Sequence, residues 1–256
     1  MKEGLEHTGL LEWLVPAWDA PSGVRALTTC RQGGVSRPPY DSLNLAAHVG
    51  DAPPAVAENR ARLVREAGLP AQPRWLRQVH GAVVVEASRA ENAQADGLFT
   101  CDENVVCAVL TADCLPLLLC TRDGRGVAAL HCGWRGLAAG IVEAGVAALA
   151  AAGGGALLAW LGPAIGPQAF VVGDEVRASF LARDGGCAGA FRPAAGGRWH
   201  ADLYALARRR LAACGVTSVS GGGWCTWRAR EHFFSHRRDG VTGRMATLIW
   251  KEAHAP

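Results

Sequence analysis

The sequence predicts an α/β, or α+β, protein: a single domain of packed mixed β-sheets flanked by helices. Half of the 256 residues are hydrophobic and 19% are charged, which is typical of a globular domain with a substantial core. β-rich apolar runs and helical patterns follow one another without strict alternation, which favours mixed sheets over a regular doubly wound fold. Because no linker, low-complexity segment or internal repeat divides the chain, we expect one domain over residues 1–256.

The first half of the chain predicts several strands and one helix. The helix begins at about Pro54 and ends at Gly68, because proline suits the first helical turn and glycine the position after the last. The strands are expected in apolar runs rich in β-branched residues. These runs are residues 23–36, which end in a Gly-Gly turn, 82–87, and 105–120, the last split or ended near Pro116.

The second half predicts a strand at 126–132, a following helix at 136–153 and an amphipathic helix at 201–215. Residues 144–168 carry no charge and approach the length of a membrane span. A glycine triplet interrupts them, so we interpret them as a buried helix, a turn and a buried strand. Further strand signals lie in residues 217–227 and 245–250.

The net charge and the cysteine content indicate which classes of partner and which cellular compartment to expect. A net charge of +3 without a basic block gives no indication of a nucleic-acid partner, and we expect no membrane partner either. Charged residues break every short apolar run near the N-terminus, so no secretory signal is expected. Nine cysteines without a CxxC pair indicate reduced thiols, which favours a cytoplasmic protein. The sequence leaves the oligomeric state open, with a monomer favoured.

Three metal-capable or nucleophilic side chains follow apolar runs, and we expect each at the end of a strand. They are His80, Cys114 and His131, separated by 34 and 17 residues, which suits a site assembled in three dimensions rather than a zinc knuckle. Two imidazoles and a thiolate would leave a fourth position open, as in catalytic zinc sites. Strand-end histidines and cysteines are also common as structural residues, so that alternative stays open.

Neighbouring residues receive subsidiary predictions. Asp113 and Arg135 are the nearest residues in the sequence that could orient ligands or hold substrate. Cys132 is expected to point to the opposite face of its strand from His131. Trp134 is expected to pack the joint after that strand. Four cysteines are predicted to be core thiols: Cys101, Cys107, Cys120 and Cys214.

A glycine-rich element near the start could contact an anion. It combines Arg31, a Gly-Gly turn, Ser36 and Asn44, and arginine with turn amides suits phosphate. We predict Arg31, Asn44 and Arg135 as substrate or phosphate contacts. An ordinary turn is the alternative interpretation of this element.

Several stretches, taken together and in this order, carry a family resemblance: TCRQGGVS, YDSLNLAAHVGD, RQVHG, ADGLFT, LTADCLPLLL, HCGWRGLAAGI, GPAIGP, ADLYALA, WCT and FFSHRRDGVTGR. They resemble the YfiH-like family, also called the laccase-domain or multicopper polyphenol oxidase family, and the peptidoglycan editing factor or purine nucleoside phosphorylase family. The matches run from about residue 25 to 250. QVHG with TADC-x-P and H-x-GWRG is a specific combination.

The resemblance implies a YfiH-like fold and a catalytic Zn²⁺ site formed by His80, Cys114 and His131, at which copper could substitute. The implied activity is phosphorolysis of adenosine, inosine and methylthioadenosine, with deamination of adenosine beside it. The implied partners are purine nucleosides and phosphate. The chain departs from the family pattern at Cys132, at Ala169 and Phe170, and at His236, where the family has alanine, a cysteine–tyrosine pair and tyrosine.

Three other functions remain as alternatives. A Cys–His hydrolase with Cys114 as nucleophile and His131 or His80 as base could edit peptidoglycan precursors. A copper-dependent, laccase-like polyphenol oxidase is disfavoured, because the chain has only eight histidines and, as axial thioether ligands, only Met1 and Met245. A non-catalytic metal-binding module would bind nucleoside without turnover.

Overall fold

The computed structural model describes residues 4–91 and 93–253. The ends of the predicted domain, residues 1–3 with Met1 and residues 254–256, lie outside this range. The strands are β1 (Gly4–Thr8), β2 (Leu11–Val15), β3 (Val24–Thr29), β4 (Val84–Glu86), β5 (Gly97–Thr100), β6 (Cys107–Thr111), β7 (Leu115–Thr121), β8 (Val127–Cys132), β9 (Leu157–Leu161), β10 (Val171–Val172), β11 (Phe191–Ala194), β12 (Arg198–Ala201), β13 (Ser218–Gly221) and β14 (Met245–Lys251). The α-helices are α1 (Pro53–Glu66), α2 (Trp134–Ala139), α3 (Ile141–Ala151), α4 (Asp174–Leu181), α5 (Leu203–Ala213) and α6 (His236–Asp239).

The described strands form three sheets. An antiparallel five-stranded sheet has the order β1-β2-β3-β14-β6, and a small antiparallel sheet has the order β10-β12-β11. The six-stranded sheet, β13-β9-β7-β8-β5-β4, is mixed, since its two outer pairs are parallel and its inner pairs antiparallel. The prediction of an α+β domain with mixed sheets is confirmed.

The two large sheets pack face to face with helices outside. Val109 and Ile249 of the five-stranded sheet share a core with Leu118 of the six-stranded sheet. Because side chains alternate along a strand, Leu117 points the other way, into a core shared with α3, α4 and α5. Leu63 of α1 packs on the outer face of the five-stranded sheet. The result is four layers, helix, sheet, sheet and helices.

Two predicted elements are divided differently from expectation. The apolar run 105–120 is not broken at Pro116, which lies inside β7, but at residues 112–114. The reason is that β6 pairs with β14 in one sheet and β7 with β8 and β9 in the other, so the chain crosses between sheets at this point. The single helix predicted at 136–153 is two helices, because Gly140 takes a left-handed conformation with φ 104°.

Other predicted elements agree with the structure. The helix expected from Pro54 to Gly68 is α1, and the one expected at 201–215 is α5. The uncharged segment 144–168 contains the end of α3, a glycine turn and the buried strand β9, as predicted. None of the described helices combines the length and apolar character that crossing a membrane requires.

Candidate metal centre

Strand pairing brings Cys114 and His131 together. In the antiparallel pair of β7 and β8, Pro116 lies opposite His131, so the start of β7 and the end of β8 occupy the same edge of the sheet. Cys114 directly precedes β7 and His131 is the penultimate residue of β8. Two of the three predicted ligands therefore meet although 17 residues separate them.

His80 reaches the same edge from a loop rather than from a strand end, which corrects the expectation. Its backbone has a positive φ of 61°, which is uncommon outside glycine. The buried carboxylate of Asp96 holds this loop, accepting N–H bonds from Val79, His80 and Gly81 at 3.2, 2.9 and 2.6 Å. These three bonds stabilise the conformation that presents the His80 ring.

The three side chains form a group that could hold a metal ion. Their ligand atoms all lie within 4.8 Å of one another, and the two imidazole centroids are 4.8 Å apart with the rings at 75°. Nitrogen and sulfur atoms bound to one zinc ion at 2.0–2.3 Å lie roughly 3.3–3.8 Å apart, so these three side chains would hold an ion after moving slightly toward one another. His131 is buried, Cys114 is half-buried and His80 is exposed, so the group opens to solvent on the His80 side.

Asp96 also orients His131. Nδ1 of His131 lies 2.8 Å from Oδ1 of Asp96, which leaves Nε2 as the ring nitrogen that can bind a metal, as is usual for metal-binding histidines. Sequence reasoning pointed to Asp113 instead, because Asp113 is adjacent to Cys114. Its carboxylate accepts from the Thr226 hydroxyl and the Arg237 N–H, each at 2.6 Å. Asp96 is the second residue of the ADGLFT motif and directly precedes β5, a strand that pairs with β8. This motif was the signal in the sequence that could have indicated Asp96.

The charges of the group favour a thiolate beside protonated imidazole when no metal is bound. Burial raises the pKa of the Cys114 thiol, but the charge and hydrogen bonds of His131 and His80 outweigh it and lower the pKa to about 6. Burial lowers the pKa of His131, and the Cys114 thiolate together with Asp96 reverses this and raises it. For Asp96, burial is likewise outweighed by hydrogen bonds from His131 and Gly81, which keep its pKa below the ordinary value.

The joint after β8 is tight at Gly133. A Cβ atom on this residue would lie 3.0 Å from Sγ of Cys114 and 3.1 Å from Cδ2 of His80. Gly133 therefore provides the space that two of the three candidate ligands occupy. Trp134, the first residue of α2, packs against the core that the six-stranded sheet shares with α3, α4 and α5, called the helix-side core below. The Arg135 guanidinium stacks over the Trp134 ring at 4.5 Å.

The predicted substrate contacts occupy different environments. Asn44 is fully buried, and its amide bonds Ala46, Asp51 and the N–H of Arg244. The Arg31 guanidinium donates to the Asp41 carbonyl at 2.9 and 3.1 Å. Asn44 and Arg31 thus organise loops.

Arg135 is different from these two side chains. It is exposed, and among the described residues its side chain makes no hydrogen bond or ion pair. Its guanidinium is therefore available to an anion.

Two further basic side chains, His48 and Arg244, lie near the group and were missed by sequence reasoning. Burial and the charge of Arg244 lower the pKa of His48, and the charges of His131 and His80 act in the same direction. Arg244 in turn is subject to the charges of Cys114 and Asp113. His48 lies in AAHVGD and Arg244 in GVTGR, and only the fold brings these distant motifs to one place.

Comparison with known proteins identifies the family. A family model described as multi-copper polyphenol oxidoreductase laccase matches residues 25–252. The chain belongs to this laccase family. Among its relatives, the purine nucleoside phosphorylase of Pseudomonas aeruginosa is 54% identical over 239 residues, which cover 93% of this chain and 98% of the relative. The purine nucleoside phosphorylase YfiH of Escherichia coli is 52% identical with the same coverage.

Solved structures of similar proteins have the same fold. The crystal structure of a Neisseria meningitidis protein superposes with a TM-score of 0.90 at 46% identity, covering 94% of this chain and 99% of that one. YlmD from Geobacillus stearothermophilus superposes with a TM-score of 0.88 at 30% identity, covering 98% and 100%. The family resemblance that the sequence motifs indicated is therefore confirmed over nearly the whole chain.

All nine cysteines of this laccase-family chain are free. Cys107 and Cys120 are buried core thiols, as predicted, and burial raises the pKa of each to about 12. Cys214 is half-buried, whereas Cys101 is exposed. The prediction for Cys101 was wrong because this residue follows the end of β5 and does not lie within the strand.

The positions that depart from the family pattern contribute no side chain to the group of candidate ligands. Cys132 lies in the helix-side core with Leu115 and Leu130, as strand alternation predicts. Ala169 packs against the same core. His236 begins α6, is exposed, and its Nδ1 lies 2.5 Å from the Gly240 carbonyl oxygen.

Proposed function

We propose that this chain is a zinc-dependent purine nucleoside phosphorylase. It cleaves adenosine, inosine and methylthioadenosine to the free base and (methylthio)ribose 1-phosphate, and it also deaminates adenosine to inosine. The observation that carries the proposal is the meeting of His80, Cys114 and His131, with ligand atoms within 4.8 Å of one another. Relatives about half identical to this chain are named purine nucleoside phosphorylases.

The donor set supports zinc. Two imidazoles and one thiolate match the Cys/His preference of Zn²⁺, and a site with three protein ligands keeps one position for water or substrate. Copper favours the same donors and could substitute at this site. When bound there, zinc supplies Lewis-acid polarisation and a water of lowered pKa.

The protein side of phosphorolysis is positioning and charge stabilisation. A phosphate oxygen forms a bond to the anomeric carbon while the C–N bond to the purine breaks, and the purine leaves with the electron pair and takes up a proton. Arg244 and the exposed Arg135 are the cationic side chains suited to the phosphate. His48, whose pKa is lowered, is suited to a hydrogen bond in its neutral form. Arg31 and Asn44, the other predicted contacts, act through the loops that they organise.

Chromatography of adenosine incubated with the enzyme, with and without phosphate, tests the proposal. We expect adenine and ribose 1-phosphate only with phosphate, and a smaller phosphate-independent formation of inosine. Both products should be lost in Cys114→Ala. Cys132→Ala is the matched control, since it removes a thiol from the opposite face of the adjacent strand and should retain both activities.

A folded, zinc-loaded protein that produces neither adenine nor inosine would overturn the proposal. Equal loss of activity in Cys114→Ala and Cys132→Ala would overturn the assignment of the site instead, since only Cys114 lies with the two histidines.

One observation favours a second candidate, a Cys–His hydrolase that edits peptidoglycan precursors. In space, His131 lies between Cys114 and Asp96. This arrangement is that of a thiol nucleophile, its base and the carboxylate that orients the base. A hydrolase of this kind should retain activity after chelation, whereas the zinc enzyme should lose it and regain it with added Zn²⁺. For a copper oxidase, Met245 offers no axial ligand, because it is fully buried with its sulfur 3.1 Å from the Phe234 nitrogen.

We also propose that the protein works in the cytoplasm. Nine free cysteines, several of them exposed or half-buried, fit a reducing compartment.

A further inference from the structure

A second set of potential ligands forms a row across β1, β2 and β3. His7 of β1 lies opposite Glu12 of β2. The register of β2 and β3, in which Trp13 lies opposite Thr29, continues to Cys30, whose N–H donates to the Glu12 carbonyl at 2.9 Å. Directly opposed residues of antiparallel strands place their side chains on the same face. The sheet register therefore aligns an imidazole, a carboxylate and a thiol.

The C-terminal part of the chain adds a second imidazole. The N–H of Arg31 donates to the His232 carbonyl at 2.8 Å, which fixes this segment against the end of β3. The His232 ring then lies over the row, with Nδ1 2.8 Å from Oε2 of Glu12 and Trp224 against its edge at 5.9 Å.

Three of the four side chains meet, and the fourth, His7, lies beside Glu12. Ligand atoms of Glu12, Cys30 and His232 lie within 4.8 Å of one another, and Nε2 of His7 is 3.4 Å from the other Glu12 oxygen. Cys30 is fully buried, whereas the His7 side chain is 70% exposed, so this imidazole can turn inward. We propose that Glu12, Cys30, His232 and His7 form a second metal site, a closed structural site for Zn²⁺.

The chemistry of the donors favours zinc in a structural role. Thiolate, imidazole and carboxylate are all zinc ligands, and four protein ligands make the closed tetrahedral set of structural sites. The site would join the β1–β2 hairpin to a segment 220 residues away in the chain. That segment leads through Phe233 into α6, whose Arg237 N–H bonds Asp113 beside the first centre.

Metal content of tag-free protein tests the site directly. After loading with Zn²⁺ and removal of loosely bound metal, we expect two zinc ions per wild-type chain, one in Cys114→Ala, and none in Cys114→Ala combined with Cys30→Ser. With Co²⁺ in place of zinc, Cys114→Ala should retain a cobalt–thiolate charge-transfer band, because Cys30 supplies the sulfur. Adding Cys30→Ser should abolish this band.

Cys101→Ser in the Cys114→Ala background is the matched control, since Cys101 is exposed and lies outside both sets; the band should persist. Should Cys30→Ser fail to fold, Glu12→Gln and His232→Ala replace it, and each should lower the zinc content of Cys114→Ala from one to none. A Cys114→Ala protein that holds no zinc and shows no cobalt–thiolate band would overturn the proposal. A band that survives Cys30→Ser would overturn it equally.

Discussion

The carboxylate of Asp96 joins His131 to the loop that carries His80. Its Oδ1 lies 2.8 Å from Nδ1 of His131 and accepts the backbone N–H of His80 at 2.9 Å. One buried side chain thus sets the ring orientation of one candidate ligand and the backbone of another. This relationship makes Asp96 a positioning residue for the candidate metal centre.

Asp96→Asn should weaken metal binding more than it changes the fold. Asparagine retains the shape but replaces one acceptor oxygen by an NH₂ group that faces N–H donors. Loss of a carboxylate that orients a ligand typically costs 10–100-fold in metal affinity, and we expect about that loss in a Zn²⁺ competition titration against a chelator. Nucleoside cleavage should recover at saturating Zn²⁺. An affinity equal to that of the wild type would show that Asp96 does not position the ligands.

Gly133→Ala should damage the centre without straining the backbone. Gly133 has φ −65° and ψ 161°, a conformation that alanine adopts freely. The added methyl group, however, would press on Cys114 and His80 at 3.0–3.1 Å. Since misplacing catalytic groups by about 1 Å can cost on the order of 10²-fold, we expect such a loss in kcat/KM for adenosine.

Gly155→Ala is the control for this variant, because nothing lies within 4 Å of the methyl group that it adds. Its kcat/KM should match the wild type. If Gly133→Ala binds zinc and turns over adenosine as well as Gly155→Ala does, the space at Gly133 is not needed by the ligands.

The reactivity of Cys114 in metal-free protein should follow its lowered pKa. A thiol whose pKa is lowered from 9.0 to about 6 is protonated at pH 5 and a thiolate at pH 7.5, and only the thiolate is alkylated. The rate of iodoacetamide labelling at Cys114, followed by peptide mass spectrometry, should therefore rise through pH 6 and level off. The raised pKa values of Cys107 and Cys120 predict no labelling of these residues in the same experiment.

His80→Gln tests whether the two imidazoles cause the lowered pKa of Cys114. It removes one of the two imidazoles that lower the pKa of Cys114, so the inflection should move to higher pH. A wild-type inflection near pH 9 would mean that the two histidines do not stabilise the thiolate.

Tyr204→Phe should destabilise the two loops that contain Ala164 and Trp224. The buried Tyr204 hydroxyl donates to the Trp224 carbonyl at 2.6 Å and accepts the N–H of Ala164 at 2.8 Å. Leaving these groups unpaired costs about 1–3 kcal/mol, which urea unfolding would measure. Tyr40→Phe removes a single hydrogen bond to the Val49 carbonyl and should lower the free energy of unfolding by less. A larger loss in Tyr40→Phe than in Tyr204→Phe would show that the Tyr204 hydroxyl does not stabilise these loops.

Local patterns were sufficient for several elements and for the choice of candidate ligands, but they did not indicate the short strands β10, β11 and β12 or the helix α4. Proline and glycine mark the ends of α1, apolar periodicity marks α5, and a short apolar run marks β14. His80, Cys114 and His131 could be selected because their residue types suit a metal and because each follows an apolar run, even though His80 proved to lie in a loop.

The role of Asp96 needed the tertiary structure. The residue lies 35 positions before His131, and no local pattern indicates that a carboxylate accepts N–H bonds from a loop that precedes it by 15 residues. The same holds for His48 and Arg244, whose motifs meet only after folding. Proximity in the sequence suggested Asp113 as the residue that orients a ligand, but its carboxylate accepts hydrogen bonds from Thr226 and Arg237 instead.

The sequence by itself determined the fold class, the positions of several helices and strands, among them α1, α5 and β8, and the chemical types available to the site. These depend on hydrophobic periodicity and turn residues, which act over a few residues. Only the tertiary structure decided where the chain passes between sheets at residues 112–114, which carboxylate orients His131, and that Glu12, Cys30 and His232 meet. These depend on the pairing of strands distant in the chain, and that pairing is set by the packing of the whole molecule.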